Sequence, residues 1–217
     1  MRINAFTKTY GSRRVLDFPG CELERGKICA VIGANGSGKS TFASILAGTV
    51  TADGKVETLS SKISCGFMPQ KSYAFRMSVL RNILLNGNDL KKAERVLNEL
   101  SLMELKNAGG KTLSGGETAK MALARLLVRH YDLLILDEPC ASMDMKGTIA
   151  AERLITEYAQ KENAAVILVT HSLAQAKRMA SCILFFDDGK LNDDPERMEE
   201  FLRFYGSDKG DPGNGGI

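Results

Sequence analysis

The stretch Gly33-Ala-Asn-Gly-Ser-Gly-Lys-Ser-Thr41 decides the fold of this chain. Glycines five residues apart, followed by lysine and serine, form the pattern of a loop that wraps a phosphate group. An apolar run rich in β-branched residues comes before the loop at 27–32, and residues 42–47 after it show the apolar spacing of a helix. The sequence therefore predicts a strand, a phosphate loop and a helix in that order.

The residue types of this loop suit a nucleoside triphosphate. Its glycines allow backbone conformations that a Cβ would forbid, so that the N–H groups can approach an anion. Lys39 adds a positive charge for the β- and γ-phosphates, and the Ser40 hydroxyl suits Mg²⁺. A tight strand-to-helix turn without a ligand is the alternative, but it requires neither side chain. The nucleotide-binding candidates of the loop are Gly33, Asn35, Gly36, Ser37, Gly38, Lys39, Ser40 and Thr41.

Length and composition restrict the class of protein. With 217 residues and 44% hydrophobic residues, the chain can form one generous α/β domain with a sizeable core. A net charge of +3 is too small to indicate nucleic acid as a partner. No apolar stretch approaches the length of a membrane span, and the first residues lack the apolar core of a secretory signal. We therefore expect a cytoplasmic protein, peripheral to a membrane at most.

The cysteines are odd in number and show no Cys-x-x-Cys pairing. Cys29, Cys65 and Cys182 lie inside apolar runs, where a thiol acts as a small hydrophobic group. We expect buried reduced thiols rather than a metal site or a redox site. The remaining two cysteines are Cys21 and Cys140.

The hydrophobic pattern divides the chain into strands and helices. The expected strands are 2–10, 14–18, 27–32, 55–59, 63–68, 133–136, 165–170 and 183–186. Besides the helix of the phosphate loop, the expected helices are 90–100, 117–129, 148–160, 173–180 and 195–205. An antiparallel start thus leads into a parallel core, and the block from about 75 to 130 is a helical sub-lobe. We expect one domain over 1–205 and a disordered, glycine-rich tail at 206–217.

Two acids end a buried strand in Leu133-Leu-Ile-Leu-Asp-Glu-Pro139. Ligands of open α/β sheets gather at the carboxyl ends of strands, where an unpaired acid is costly unless it serves a cation or a proton transfer. Since successive side chains of a strand face opposite sides, the two acids have different tasks. Asp137 suits the Mg²⁺ shell, and Glu138 suits polarising the water that attacks the γ-phosphate. The alternative is that both acids merely cap the strand before the proline.

A second glycine turn, Leu113-Ser-Gly-Gly-Glu117, makes a resemblance specific. From about Ile3 to Leu191 the chain resembles the ATP-binding subunit of an ATP-binding cassette (ABC) transporter. Six motifs follow that family's order: the phosphate loop, Gln70 after Phe67-Met-Pro, the turn at 113–117, Leu134-Ile-Leu-Asp-Glu-Pro139, Ser142-Met-Asp144, and His171 after Val169-Thr170. The resemblance implies an α/β fold: a P-loop NTPase (ABC ATPase) core with an N-terminal antiparallel β-subdomain and a small helical subdomain.

The resemblance also implies roles for single residues, with ATP and Mg²⁺ as ligands. Ser114, Gly115, Gly116 and Glu117 open a helix whose N-terminus would bind the γ-phosphate of a nucleotide held by the opposite subunit. In the family, a glutamine at the position of Gln70 senses Mg²⁺ and the attacking water. A histidine at the position of His171 contacts the γ-phosphate. The remaining implied contacts are Asp144 across the dimer interface and Tyr10 against adenine.

The chain departs from the family pattern at four places, of which the first two bear on dimer affinity more than on nucleotide binding. Glu117 replaces the usual glutamine, and Thr118-Ala-Lys120 stands where a basic residue is expected sooner. Cys140 replaces a common threonine, and Ser142-Met-Asp144 shortens a Ser-Ala-Leu-Asp motif. Neither of the last two changes removes a charge that the mechanism needs.

Three functions are compatible with these motifs. The first is the energy-supplying subunit of a transporter, with a second copy of the cassette and a separate membrane permease as partners. Tyr73, Phe75 and Met77 lie where that family receives a short helix of the permease, although interior packing explains at least one of them equally well. The second function is a soluble cassette ATPase of DNA repair or translation. The third is an unrelated phosphate-loop kinase or GTPase, which the turn at 113–117 and His171 disfavour.

Further resemblance concerns direction and cargo. A single short cassette looks like a subunit of a bacterial-type importer at the cytoplasmic face of the membrane, served indirectly by a solute-binding protein. Segments such as Phe75-Arg-Met-Ser-Val79 and Thr170-His-Ser-Leu-Ala-Gln-Ala-Lys177 look most like the cassettes of oxyanion importers, tungstate first and phosphate next. Cargo does not touch the ATPase in such systems, so no residue of this chain encodes it directly.

Overall fold

The computed structural model describes residues 1–54, 63–192, 194, 196–198 and 201. The expected strand 55–59 and the tail 206–217 lie outside the described residues, as does most of the expected helix 195–205. The strands are β1 (Arg2–Ile3), β2 (Phe6–Tyr10), β3 (Arg13–Phe18), β4 (Cys21–Glu22), β5 (Ile28–Gly33), β6 (Cys65–Met68), β7 (Leu133–Asp137), β8 (Ala165–Val169), β9 (Cys182–Asp187) and β10 (Lys190–Leu191). The helices are α1 (Lys39–Leu46), α2 (Val79–Leu84), α3 (Leu90–Glu99), α4 (Gly115–Leu127), α5 (Met145–Glu162) and α6 (Leu173–Met179).

Eight of the described strands form one curved sheet in the order β2-β3-β10-β9-β5-β8-β7-β6. The five strands from β9 to β6 pair in parallel, whereas β2 and β3 form an antiparallel hairpin. The short strand β10 joins the two regions, because it pairs antiparallel to β9 and parallel to β3. The expected α/β fold with an antiparallel start is therefore confirmed.

The central strands are apolar on both faces, and each face supplies a different core. Alternate side chains of a strand point to opposite sides of the sheet. Leu133 and Ile135 of β7 accordingly pack with the phosphate helix α1, whereas Leu134 and Leu136 pack with the helices α2 to α5. This double burial explains why the sequence of β7 is a continuous apolar run rather than an alternating one.

Four phenylalanines fix α1 against the sheet. Phe42 of α1 lies with its ring centroid 4.8 Å from Phe18 of β3 and 5.1 Å from Phe186 of β9. Phe6 of β2 stacks on the same ring at 6.1 Å. The helix that follows the phosphate loop is thus held by three strands at once.

The helices α2, α3 and α4, which we call the helical lobe (79–127), pack on one another and on α5. Ser78 caps α2 and Asp89 caps α3, each accepting a hydrogen bond from the third backbone N–H that follows it. Among the described helices, none is long and apolar enough to cross a membrane.

The expectation of reduced cysteines is wrong for one pair. Cys29 of β5 and Cys182 of β9 are directly opposite each other on neighbouring parallel strands, with their Cα atoms 4.8 Å apart, and they form a disulfide. Cys182 is also exposed rather than buried. The two residues are 153 positions apart, so only the strand order brings them together. Cys21, Cys65 and Cys140 are free thiols.

Candidate nucleotide site

Four neighbouring parallel strands end at one edge of the sheet, and each end carries a predicted site residue. The order β5-β8-β7-β6 places the phosphate loop, His171, the two acids and Gln70 side by side along this edge. The carboxyl ends of parallel strands at a change in strand order form the usual ligand crevice of open α/β sheets. Residues that are up to 138 positions apart in the chain therefore face one crevice, as the count from Gly33 to His171 shows.

The phosphate loop has backbone geometry that excludes larger residues at its start. Gly33 has φ +148°, and a Cβ there would lie 2.1 Å from the carbonyl oxygen of Phe186. Helix α1 begins after Gly38 with no side-chain cap, whereas α2 to α6 are each capped by a serine or an aspartate. The first N–H groups of α1 are thus left for an anion.

Lys39 points back into the loop. Its Nζ donates to the carbonyl oxygens of Gly33 at 2.8 Å and Ala34 at 2.7 Å, and the side chain is buried. Burial lowers the pKa of the Lys39 ammonium, while the charges of Glu138 and Asp137 act in the opposite direction. The charge that would meet a phosphate is held in place by the loop itself.

Asp137 is the buried acid at the end of β7. Its side chain is 3% exposed, and its Oδ1 has no hydrogen-bond partner among the described residues. Burial raises the pKa of the Asp137 carboxyl, against a hydrogen bond from Ser40 and the charge of Lys39. An orphaned carboxylate oxygen beside a serine hydroxyl fits a hard cation such as Mg²⁺, which prefers oxygen ligands.

Glu138 turns away from Asp137 and meets His171. The backbone of Glu138 has φ +51°, an unusual value for a residue with a side chain. Its Oε2 lies 2.9 Å from Nδ1 of His171, which follows the end of β8. Both side chains line a cavity of about 220 Å³ that also contains Cys140 and Arg178. The two acids therefore have different surroundings, but the cause is not the alternation of strand side chains: Glu138 lies beyond the end of β7 and has a left-handed backbone.

The turn at 113–117 starts helix α4 with a reciprocal cap. Ser114 Oγ donates to Glu117 Oε2 at 2.7 Å, the backbone N–H of Ser114 donates to the same oxygen at 2.8 Å, and the Glu117 N–H donates to Ser114 Oγ at 3.3 Å. Glu117 thus supplies a negative charge to the N-terminus of α4. The hydrogen bond from the backbone of Ser114 is the main reason why the pKa of the Glu117 carboxyl lies below its usual range.

Asp144 belongs with this turn rather than with the phosphate loop. Its Oδ1 accepts hydrogen bonds from Lys120 Nζ at 2.9 Å and from the Gly147 N–H at 3.2 Å, which caps α5. The sequence reasoning missed this contact between Lys120 and Asp144. Beside it, Met145 and Ile149 form an exposed apolar pair one turn apart on α5, 80% and 61% accessible.

The described residues therefore form two clusters. Lys39, Asp137, Glu138 and His171 are joined by charge and hydrogen bonds, and Ser114, Glu117, Lys120 and Asp144 form the other set; no side-chain hydrogen bond joins the sets within the described ranges. Gln70 is exposed two residues after β6. Tyr10 ends β2 with a ring that is 52% exposed and that Lys8 Nζ approaches to 5.0 Å.

The crevice defines the class of protein: a phosphate-loop nucleotide hydrolase with an acid pair at the end of β7, which β8 separates from the strand of the phosphate loop. Comparison with known proteins identifies the family. Residues 18–141 match the family model described as ABC transporter. The tungstate uptake system ATP-binding protein TupC of Peptoclostridium acidaminophilum is 34% identical over 205 residues, covering 88% of this chain and 96% of the relative.

Two further proteins extend the comparison. The aliphatic sulfonates import ATP-binding protein SsuB 1 of Streptomyces avermitilis is 35% identical over 194 residues, covering 88% of this chain and 74% of the relative. A solved structure of RNase-L Inhibitor superposes with a TM-score of 0.81 at 26% identity, covering 94% of this chain but only 42% of that one.

The chain belongs to the ABC transporter family, and its activity is that of an ATP-binding ATPase subunit.

Proposed function

We propose that the chain hydrolyses Mg-ATP to power solute import through a separate membrane permease, to which it binds at the cytoplasmic face of the membrane. The relatives that support this proposal are an uptake protein for tungstate and an import protein for aliphatic sulfonates. The proposal treats 1–205 as one catalytic domain with a helical subdomain at about 75–130. An oxyanion is the proposed cargo, delivered by a solute-binding protein.

The orphaned Oδ1 of Asp137 is the observation that carries the nucleotide chemistry. Asp137, Ser40 and Gln70 would hold Mg²⁺, which would neutralise charge on the β- and γ-phosphates. Lys39 contributes the second positive charge. The residues of the phosphate loop, from Gly33 to Thr41, bind the phosphates through backbone N–H groups and hydroxyls.

Glu138 is the proposed acceptor for the proton of the attacking water. Its Oε2 already lies 2.9 Å from Nδ1 of His171, so the imidazole fixes the carboxylate and can reach the γ-phosphate side of the crevice. Phosphoryl transfer needs mainly positioning and neutralised charge, and the residues of this cluster contribute to both.

A second copy of the chain completes the proposed site. The turn of Ser114, Gly115, Gly116 and Glu117 and the carboxylate of Asp144 would close over a nucleotide held by the other copy. Tyr10 would pack against the adenine of the nucleotide held by its own phosphate loop. The separation of the two clusters within one chain supports this arrangement, because each chain then contributes half of each site. The exposed Met145 and Ile149 lie next to the same face.

Replacement of Glu138 by Gln tests the nucleotide chemistry. We expect Glu138→Gln to bind ATP with near-parental affinity and to hydrolyse it at least about a hundredfold more slowly, since it removes only the proton acceptor. EDTA should stop hydrolysis by the parent. Hydrolysis by Glu138→Gln at the parental rate would remove Glu138 from this role.

Sedimentation of the same variant tests the shared site. Glu138→Gln should form dimers with ATP, whereas Ser114→Arg in that background should stay monomeric while still binding nucleotide. Normal dimers of the double variant would contradict the shared site.

Coexpression with neighbouring genes tests the transport role: capture of a multi-span membrane protein supports it, and capture of ribosomes instead supports a soluble cassette ATPase.

A further inference from the structure

A buried asparagine of the helical lobe binds the segment that follows Gln70. Asn82 of α2 is fully buried. Its Nδ2 donates to the carbonyl oxygens of Phe75 at 3.2 Å, Met77 at 3.1 Å and Ser78 at 3.1 Å, and its Oδ1 accepts from the Phe75 N–H at 2.9 Å. All four partners are backbone atoms. The Asn82 side chain therefore fixes the path of the segment independently of the side chains that the segment carries.

Arg125 of α4 extends these contacts to a second helix. Its Nε donates to the Asn82 carbonyl at 3.0 Å, and its Nη2 donates to Asn82 Oδ1 at 2.9 Å and to the Tyr73 carbonyl at 3.4 Å. The guanidinium also lies 5.1 Å from the ring centre of Phe75 and 5.7 Å from that of Tyr73. Asn82 and Arg125 together are called the brace.

The brace is unusual because Arg125 is a buried charge with no acid beside it. The residue is 9% exposed, and within the described ranges no carboxylate forms an ion pair with it. A buried cation is costly unless its surroundings compensate for lost water. Here three oxygen acceptors and two aromatic rings surround the guanidinium, and through these contacts it holds one loop in place.

The segment 71–78 connects the sheet to the lobe. Gln70 follows β6 of the parallel sheet, and Ser78 caps α2 of the lobe. Tyr73 and Phe75 line a cleft of about 830 Å³ between these two parts, together with Arg125. A movement of the lobe therefore reaches Gln70 only to the extent that the segment is fixed to α2 and α4.

We propose that Asn82 and Arg125 are positioning residues for Gln70, because they fix the segment that follows it to α2 and α4. This inference rests on the proposed role of Gln70 in holding Mg²⁺ and the attacking water. A residue that only stabilises the lobe would change the folded fraction and leave the turnover of folded molecules unchanged. A positioning residue lowers kcat of folded protein and leaves ATP binding intact.

Two adjacent glycines offer a matched test of the brace. A Cβ at Gly110 would lie 2.8 Å from Asn82 Nδ2 and 2.9 Å from the Phe75 carbonyl oxygen, whereas a Cβ at Gly109 would meet nothing within 4 Å. Gly110→Ala therefore displaces the brace without removing any of its atoms. Gly109→Ala is the control, and Arg81→Ala, an exposed neighbour on α2, is the control for Asn82→Ala.

The experiment measures kcat and KM of the full chain, ATP affinity by calorimetry, and the thermal midpoint. We expect kcat of Gly110→Ala and Asn82→Ala to fall at least about tenfold, with KM and ATP affinity within about threefold of the parent, because a small misplacement of a catalytic group is costly. Gly109→Ala and Arg81→Ala should match the parent. If Gly110→Ala does not fold, the kcat of Asn82→Ala alone tests the proposal.

A double variant separates positioning through Gln70 from any other effect. If the brace acts through Gln70, Gln70→Ala together with Asn82→Ala is no slower than Gln70→Ala alone. Multiplied losses would overturn the proposal, as would parental kcat in both brace variants. If Gln70→Ala alone leaves kcat unchanged, the role of Gln70 in the proposed function fails, and the brace proposal fails with it. If the brace variants keep the parental kcat while Gln70→Ala loses it, the brace proposal fails and the proposed function stands.

Discussion

At the N-terminus of α4, Glu117 already uses both hydrogen-bond donors of Ser114. Its carboxylate accepts both the N–H and the hydroxyl hydrogen of Ser114. A γ-phosphate arriving from a second copy of the chain would have to displace that carboxylate or lie next to its charge. In the proposed dimer, the departure from the family's usual glutamine would therefore act on dimer formation and leave the phosphate loop unaffected.

Replacement of Glu117 by Gln should strengthen the ATP-bound dimer. We expect the dimer dissociation constant of Glu117→Gln to fall about two- to fivefold, the effect of one charge at a helix terminus. Sedimentation in the Glu138→Gln background with ATP measures it. Glu104→Gln, which removes an exposed charge elsewhere, is the control. A weaker dimer would show that Glu117 assists the contact instead.

Lys39 allows a sharper prediction about affinity. Its ammonium is held by the carbonyls of Gly33 and Ala34, ready to face a phosphate. We expect Lys39→Ala to weaken Mg-ATP binding about ten- to a hundredfold, the range for losing a charged hydrogen bond. Calorimetry measures it, with exposed Lys71→Ala as the control. Unchanged affinity would contradict the assignment of the phosphate loop.

At the scale of elements, the phosphate helix depends on its aromatic anchor. Phe42 contacts Phe6, Phe18 and Phe186, and it is fully buried. We expect Phe42→Ala to reduce the free energy of unfolding by about 3–5 kcal/mol, the cost of a large cavity in a core. Urea denaturation measures it, and the exposed Leu90→Ala should change little. A loss below about 1 kcal/mol would mean that the strands collapse onto the cavity.

The sequence predicts those elements whose signal is local. The apolar run of β7 is expected at 133–136 and observed at Leu133–Asp137, because burial on both faces requires apolar residues throughout. Helix α5 is expected from 148 but begins at Met145, since the side chain of Asp144 caps it. The expected strand 2–10 divides into β1 and β2, which belong to different sheets. Caps and breaks depend on contacts that periodicity does not contain.

The residues of the candidate site likewise divide into those that the sequence predicts and those that depend on tertiary contacts. Lys39, Asp137 and Glu138 follow from motifs, because a phosphate loop and an acidic strand end require particular residue types at fixed spacing. The brace of Asn82 and Arg125 depends on helix packing, and its one sequence signal is a charge within the apolar run 121–127. The disulfide of Cys29 and Cys182 depends on strand order alone.

For the whole molecule, three half-buried thiols predict a loss of stability in alkali. Burial raises the pKa of Cys21, Cys65 and Cys140 from 9.0 to about 11. The folded chain thus holds these protons more tightly than the unfolded chain. Their contribution is complete below about pH 9 and is lost as the pH rises toward about 11.

Urea midpoints of the protein at about pH 8, 9.5 and 11 test this prediction, because stability follows the protons bound by each state. A variant with all three cysteines replaced by alanine should lose less stability over the same range. Equal losses in both proteins would assign the alkaline transition to other groups.

The strand order has a consequence for how the chain is made. β5 ends at Gly33, but its two flanking strands β8 and β9 begin only at Ala165 and Cys182. During translation, an apolar strand therefore waits with both edges unpaired while more than half of the polypeptide is synthesised. We expect nascent chains arrested before residue 165 to be retained by chaperones or to aggregate, and those released after residue 187 to reach the native state.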